Sequence, residues 1–436
     1  METVPYLIVG AGITGLSLAY ALQSAGKEFR LLEAGPGVGG NIQTETEAGF
    51  TYDLGPNTLL VRDPRVAALL EELALPEQLA NPLARRRFVV NRRHELVALG
   101  PKTLLGGKLL SARARLRLLT EPFRPRATGD ESIAAFVRRR LGPEVLDWMV
   151  DPFVSGVYAG DPERLSLAAS LPRLAQMEKE HGSLLGAALR GRRRKGSKSR
   201  LLSFAGGMQS LPRGITARLG DKILCNSPVT AIHPTGMTWQ VESATGDWET
   251  ERLILCLPTQ EIARLLPPQA EALRRQLAAI EYPELATVAL GFGREQVQHP
   301  LDGFGVLIPR QLGIATLGAL FSSTLFPDRA PTDHVLLTAF IGGAQGKLPS
   351  AKTEDIVARV VEDLRSLLDI RGEPRFQRVR WWPRAIPQYQ LGHLARVEAI
   401  DAALQSWPGL SLLGNWRGGV ALGDCIGNGL EFGRSL

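Results

Sequence analysis

The chain has 436 residues, 44% of them hydrophobic and 22% charged, with 51 Lys and Arg against 44 Asp and Glu for a formal net charge of +7. That length exceeds one ordinary domain and that composition excludes global disorder, so two or three lobes around buried cores are expected. Cys225, Cys256 and Cys425 are far apart and form no CxxC pair, which excludes a disulfide framework, and no metal site is expected.

Tyr6-Leu7-Ile8-Val9 is a short apolar run of the kind shown by a strand buried on both faces. It leads into Gly10-Ala11-Gly12-Ile13-Thr14-Gly15 and then an alanine- and leucine-rich helix through Leu22, closed by Gly26. A second strand, Phe29 to Leu32, ends on Glu33. Each glycine of the first turn has a mechanical role. Gly10 allows the tight turn, Gly12 lets the backbone approach a pyrophosphate, and Gly15 lets the helix pack closely on the strand. The helix N-terminus offers free N–H groups to phosphate, and Glu33 can accept from ribose hydroxyls. The expectation is a dinucleotide site. The first strand begins so early that no signal or transit peptide is expected ahead of it, and no apolar run is long enough to span a bilayer. The expected setting is cytoplasmic, with at most a peripheral seat on a membrane.

A second glycine cluster, Gly37-Val38-Gly39-Gly40-Asn41, follows Glu33 directly, and Asp53-Leu54-Gly55-Pro56-Asn57 comes soon after. A nicotinamide enzyme has no need of this second cluster, whereas a permanently held flavin must be gripped along its whole length. FAD is therefore the expected cofactor.

Residues Leu60 to Arg87 read as helices and turns, and Arg87-Phe88-Val89-Val90 as a strand. From Leu99 to Leu119 the chain is leucine-rich and basic, which suggests amphipathic helices. Asp130 is placed to cap a further helix with Ile133, Phe136, Val137 and Leu141 on one face, ended by Gly142 and Pro143. The run Arg190 to Arg200 (RGRRRKGSKSR) is basic; a solvated loop or contact with anionic headgroups suits it, and no nucleic-acid partner is expected. Ile223 to Val229 and the alternation around Trp239 and Val241 suggest a small antiparallel sheet, and Leu253 to Leu257 a buried strand. Residues 281–380 mix strands with one clear helix, Glu354 to Leu368. Near the end, a strand Leu410 to Leu413 is followed by Gly418-Gly419-Val420-Ala421-Leu422 and a new helix start, repeating the logic of the N-terminus. Backbone amides at Val420 to Leu422 are expected to face the flavin. His94, His181, His233, His299, His334 and His393 show no catalytic spacing.

The expected fold is an α/β flavoprotein of the two-dinucleotide-binding-domain type. Its FAD-binding domain would comprise 1–84, 201–275 and 381–436, its sheet-based substrate domain 85–98 and 276–380, and an inserted helical, membrane-associated lobe 99–200.

Taken together, these segments resemble the oxygen-dependent protoporphyrinogen oxidase family, in its plastid and cyanobacterial branch of the flavin amine oxidase superfamily. The most particular match is Asp151 to Pro162 (DPFVSGVYAGDP), supported by Arg87-Phe88, Phe321 to Arg329 (FSSTLFPDR), Ile341 to Ala344 and Ile386 to His393. The resemblance covers essentially the whole chain. It implies FAD contacts at Gly10, Ala11, Gly12, Ile13, Thr14, Gly15, Glu33, Ala34, Gly40, Asn41, Gly55, Pro56, Asn57, Thr58, Val229, Val420, Ala421 and Leu422. It further implies Arg87 as partner of a substrate propionate, Leu307 and Phe326 packed on a tetrapyrrole, and the Gly156 carbonyl beside it. The implied reaction removes six electrons from protoporphyrinogen IX in three two-electron steps through flavin N5, each followed by reoxidation with dioxygen to hydrogen peroxide. No side chain stands out as a general base. A peripheral membrane contact and a homodimer are compatible with the resemblance. Two departures are the short last helix before Leu436 and Asn41, where much of the superfamily has arginine.

The rival readings are a coproporphyrinogen III oxidase, an amine oxidase or carotenoid desaturase, and a flavin-free chaperone of prenylated GTPases. The first would need extra cations, for which Arg62, Arg92 and Arg93 are candidates. The intact Gly12, Glu33 and Val420 turn argue against the last.

Overall fold

The computed structural model describes residues 1–100, 103, 106–191 and 199–436. The chain opens with β1 (Glu2–Val9), α1 (Ile13–Ser24) and β2 (Phe29–Leu32), followed by the hairpin β3 (Thr44–Glu47) and β4 (Phe50–Asp53). It continues through β5 (Leu59–Val61), β6 (Glu77–Leu79), β7 (Arg87–Val90) and β8 (Leu96–Ala98). The described residues between β8 and β9 (Arg200–Phe204) form helices, among them Ala112–Leu119, Ile133–Arg140, Asp151–Tyr158 and Pro172–His181. Then come β10 (Ile223–Leu224), β11 (Val229–Thr235), β12 (Thr238–Ser243) and β13 (Gly246–Leu255). A second set follows: β14 (Leu285–Gly293), β15 (Gly305–Leu307), β16 (Thr316–Leu320), β17 (His334–Gly342) and β18 (Phe376–Trp382). β19 (Leu410–Leu412) and the helix Leu422–Ser435 close the chain.

One sheet holds a parallel row β10-β2-β1-β13-β19, extended by antiparallel β12 and β11 on the far half of β13. Its centre is β1, paired in register from Tyr6–Phe29 to Val9–Leu32 on one side and Tyr6–Arg252 to Val9–Leu255 on the other. Two apolar layers cover it. On one face α1 and the helices Pro64–Leu73, Ser210–Leu219 and Leu422–Ser435 pack together; on the other, Trp239, Trp248 and Trp416 are buried with Leu253, Ile262 and Leu277. Leu16, Leu18 and Leu22 of α1 are fully buried, and each such side chain contributes about 1.5–3 kcal/mol by leaving water. The second sheet runs β18-β14-β17-β16-β15-β7-β8 and is antiparallel except between β7 and β15. The amphipathic helix Thr353–Leu368 packs on it through Val360, Leu364 and Leu368.

Several local expectations change. Ile223–Leu224 joins β2 in parallel, so the antiparallel part starts only at Val229; a two-residue strand is too short to show its direction by alternation. The Leu60 to Arg87 stretch holds two short strands, β5 and β6, both paired with β9. Ser132 rather than Asp130 caps the helix Ile133–Arg140, its hydroxyl accepting from Ala135 N at 3.1 Å. Asp130 instead accepts from Ser166 Oγ at 2.6 Å and Gly392 N at 2.9 Å. Trp381 and Trp382 end β18 in the second sheet. Residues 192–198 of the basic run, and 101, 102, 104 and 105 of the leucine-rich stretch, lie outside the described residues. Among the described residues no helix is long and apolar enough to cross a membrane.

Candidate functional site

The turn after β1 is built from three glycines with different constraints. Gly10 has φ +103°, and a Cβ there would stand 2.6 Å from the Cys256 carbonyl oxygen. At Gly15 a Cβ would stand 2.1 Å from the Gly10 carbonyl, so only glycine lets α1 sit this close to β1. At Gly12 no protein atom lies within 4 Å of where a Cβ would go. The space is open at the one glycine where a phosphate has to approach, beside the first turn of α1, which has no side-chain cap. Ile13 and Thr14 are buried in that turn.

Glu33, at the end of β2, is partly buried and holds the neighbouring loops: Oε2 accepts from Ala11 N at 2.8 Å and Oε1 from Gly35 N at 2.9 Å. Ala34 beside it is exposed. Val229 comes to the same end of the sheet, since Ser227 N bonds the Glu33 carbonyl at 2.8 Å. The second glycine cluster folds back on the first: Gly39 N donates to Ala11 O at 2.8 Å, and a Cβ on Gly40 would lie 3.3 Å from Gly12 Cα. Asn41 lies against the next turn, where a Cβ on Gly55 would be 1.8 Å from the Asn41 carbonyl; Pro56, Asn57 and Thr58 follow, half-buried. The C-terminal turn arrives from the other direction. Gly429 packs against Thr14, so the helix Leu422–Ser435 runs alongside α1, and Gly423 approaches the Leu60 carbonyl within 3.0 Å of its notional Cβ. Val420, Ala421 and Leu422 at its start stay partly or fully exposed. The expected dinucleotide segments therefore gather at the carboxyl ends of β1 and β2, where open α/β sheets bind ligands, with Ala11, Ile13, Thr14 and Val229 buried beneath them. The open approach at Gly12 and the acceptor at Glu33 fit FAD.

The expected substrate residues fall into two contacts at the ends of β15. Gly156, on the helix Asp151–Tyr158, faces Leu307, whose Cδ2 lies 2.5 Å from where a Cβ would stand. Phe153 and Val157 flank Gly156 and are exposed. At the other end Arg87, exposed at the start of β7 and opposite Gly305, places its guanidinium 4.9 Å from the Phe304 ring centroid. Phe326 packs with Ala84 and Leu325 near Phe304 but is only 3% exposed. The cavity beside it, lined also by Asp53 and Asn57, measures about 10 Å³, room for one water. Phe326 thus braces the Arg87 end from within. Of the candidate extra cations, Arg92 is committed to Glu144 at 3.2 Å and to the Trp148 ring at 4.8 Å. Arg62 is exposed and biases Asp424 and Tyr158.

Composition and spacing gave no sign of the tie between these two regions. Arg329 and Asp53 are both buried, 3.6 Å apart. Asp53 also accepts from Thr44 Oγ1 at 2.5 Å and Met208 N at 2.9 Å, and Arg329 donates to Ser203 Oγ at 2.7 Å. Burial pushes the Asp53 carboxyl up, against the pull of Arg329. The pair joins the segment carrying Phe326 to the strand leading into Gly55. A second buried network sits in the helical region: Arg140 contacts Glu121 and Glu178, and Glu121 accepts from Ser183 Oγ at 2.6 Å. No cluster of His, Cys, Asp and Glu able to hold a metal occurs among the described residues.

Comparison with known proteins gives a consistent result. The family model described as flavin-containing amine oxidoreductase matches residues 13–431. Protoporphyrinogen oxidase 2, chloroplastic/mitochondrial, of Arabidopsis thaliana is 34% identical over 468 residues, covering 97% of this chain and 92% of the relative. Coproporphyrinogen III oxidase of Bacillus subtilis is 30% identical over 452 residues, covering 97% and 96%. A crystal structure from Exiguobacterium sp. 255-15, assigned provisionally to protoporphyrinogen oxidase, superposes with a TM-score of 0.86 at 25% identity, over 100% of this chain and 98% of that one.

Proposed function

The chain belongs to the flavin-containing amine oxidoreductase family and is an FAD-dependent oxidoreductase; we propose that it oxidises protoporphyrinogen IX to protoporphyrin IX, with dioxygen as the final acceptor. The observation that carries this reading is the pair of contacts at the two ends of β15. Gly156 on Leu307 makes a flat apolar wall, and Arg87 beside Phe304, opposite Gly305, sets a cation about 7 Å further along at ~3.3 Å per residue. A planar apolar ligand bearing carboxylates at its edge suits that combination. Bound along the Gly10–Gly15 turn, FAD would supply the two-electron oxidation. The chain's own part is to hold a propionate at Arg87, to lay the ring against Gly156 and Leu307, and to keep water from it with Phe153 and Val157.

A second reading is oxidation of coproporphyrinogen III, the activity named for the Bacillus subtilis relative. What favours it is Arg62, a second exposed cation near the helix that carries Gly156. The test is to supply each porphyrinogen in air and follow porphyrin fluorescence and peroxide together. Oxidation of protoporphyrinogen above the uncatalysed rate, with peroxide formed, supports the proposal. Preference for coproporphyrinogen selects the second reading, and turnover of neither sinks both.

Membrane contact belongs to the same proposal. Leu116, Leu119 and Phe123 are 65%, 68% and 87% exposed, with Arg117 and Arg124 between and beside them. Apolar side chains among arginines suit the surface of an anionic bilayer, on the cytoplasmic side. Co-flotation with anionic but not neutral vesicles, lost in Phe123→Ser, is the expected result; flotation with neither would remove the membrane from the proposal, and equal flotation with both would remove the anionic headgroups.

A further inference from the structure

The run Ile386 to His393 stands out in the sequence, yet neither the dinucleotide seam nor the ends of β15 use it. Its side chains lie between the two. Gln388, buried, donates from Nε2 to the Tyr158 carbonyl at 3.0 Å, and the Tyr389 carbonyl accepts from Ser166 N at 2.8 Å. The first bond fixes the segment to the last residue of the helix carrying Gly156, and the second to Ser166 beyond it. The Tyr389 side chain points the other way, into the loop that precedes Val420. Its hydroxyl donates to the Asn415 carbonyl at 2.6 Å and accepts from Gly419 N at 3.1 Å. The ring is stacked on His393, with centroids 4.1 Å apart and planes 11° from parallel.

The loop needs such a tie. Gly418 and Gly419 have φ +72° and +119°, a shape that costs glycine little but that glycine also leaves readily. Neither offers a side chain to anchor it. The Tyr389 hydroxyl closes the loop across its mouth, from Asn415 to Gly419. Burial keeps the phenol protonated, so it can both donate and accept.

We propose that Tyr389 is a positioning residue: its hydroxyl preforms the 414–419 loop so that Val420–Leu422 meets the flavin without first being ordered, and Gln388 ties that loop to the Gly156 helix. The proposal rests on the reading of Val420–Leu422 as a flavin contact. A loop that must be ordered on binding lowers the apparent affinity by the fraction of time it is already competent.

The test is Tyr389→Phe, which removes the hydroxyl and keeps the stack on His393. FAD titrated into FAD-stripped protein should bind about tenfold more weakly, and the visible circular dichroism of the bound flavin should change. Unchanged affinity with an unchanged spectrum overturns the proposal. Should the variant fail to fold, hydrogen exchange on the wild-type chain decides instead. The Gly419 amide should be protected in FAD-stripped protein, and free exchange there overturns the proposal. Ala421→Asp tests the underlying reading separately, since it sets a charge at an exposed helix start. If Ala421→Asp keeps wild-type affinity, the flavin reading of Val420–Leu422 falls; if it loses FAD while Tyr389→Phe keeps it, only the role of Tyr389 falls.

Discussion

Replacing Gly12 by alanine separates cofactor binding from folding. A Cβ at Gly12 meets no protein atom within 4 Å, and φ −67° with ψ 171° suits any residue. Restricting the unfolded chain stabilises by about 0.4–1 kcal/mol, while alanine caps a helix less well than glycine by a comparable amount. FAD-free Gly12→Ala protein should therefore keep its stability to within about 1 kcal/mol. The methyl group then fills the gap through which a pyrophosphate reaches the backbone. Overpacking of this kind costs about 1–3 kcal/mol, which raises the FAD Kd about 5- to 150-fold. Gly15→Ala is the contrast. Its Cβ would stand 2.1 Å from the Gly10 carbonyl, so α1 must shift by roughly an ångström, at a cost at or above the upper end of that range whether or not FAD is present. Thermal unfolding with and without FAD reads both effects. Wild-type protein should gain about 2.7 kcal/mol at a hundredfold excess of FAD over Kd. At the same FAD concentration Gly12→Ala should lose about 0.9–2.4 kcal/mol of that gain with its FAD-free midpoint unmoved, and Gly15→Ala should lose the midpoint itself. A Gly12→Ala protein that binds FAD at the wild-type Kd, or that unfolds as early as Gly15→Ala, would refute the reasoning.

Four further outcomes are expected. Arg329→Met should cost about 3–5 kcal/mol near neutral pH by stranding a buried carboxylate; because burial already raises Asp53, denaturant titrations should show the deficit shrinking as pH falls and the carboxyl takes up a proton. Burial lowers the His393 imidazole to about 4, so the folded state binds fewer protons than the unfolded one between that value and ~6.5. Wild-type stability should fall by up to about 3 kcal/mol as pH drops through this window, and His393→Asn should flatten that slope in urea titrations at each pH. Arg140→Met leaves Glu121 and Glu178 buried without their shared cation, and should cost about 3–5 kcal/mol by the same denaturant assay; a loss under 1 kcal/mol would show that the network is dispensable. Arg87→Met should raise KM for protoporphyrinogen about tenfold or more with FAD affinity unchanged, and steady-state kinetics showing a fall in kcat alone would remove Arg87 from carboxylate binding.

The parts of this protein whose physics is local can be read along the chain. Gly10-Ala11-Gly12-Ile13-Thr14-Gly15 between an apolar run and an amide-rich helix start, with Glu33 at the next strand end, has one arrangement that satisfies sterics and hydrogen bonding together, and the structure adopts it. The same holds for the helix Thr353–Leu368, whose apolar period names its buried face. Where a residue's role depends on a partner far along the chain, the sequence was silent. Asp53 meets Arg329 across 276 positions, and Tyr389 meets Gly419 across 30. Only the family resemblance set Phe326 on a tetrapyrrole; as an apolar aromatic it reads as a core residue, and its partners Ala84 and Leu325 waited on the fold. The direction of β10 and the use of Ser132 instead of Asp130 as a cap also waited on the fold. Hydrogen bonds and steric limits between near neighbours are written in order along the chain, whereas ion pairs and closures between lobes exist only once burial has removed water from both partners and left each with no other choice.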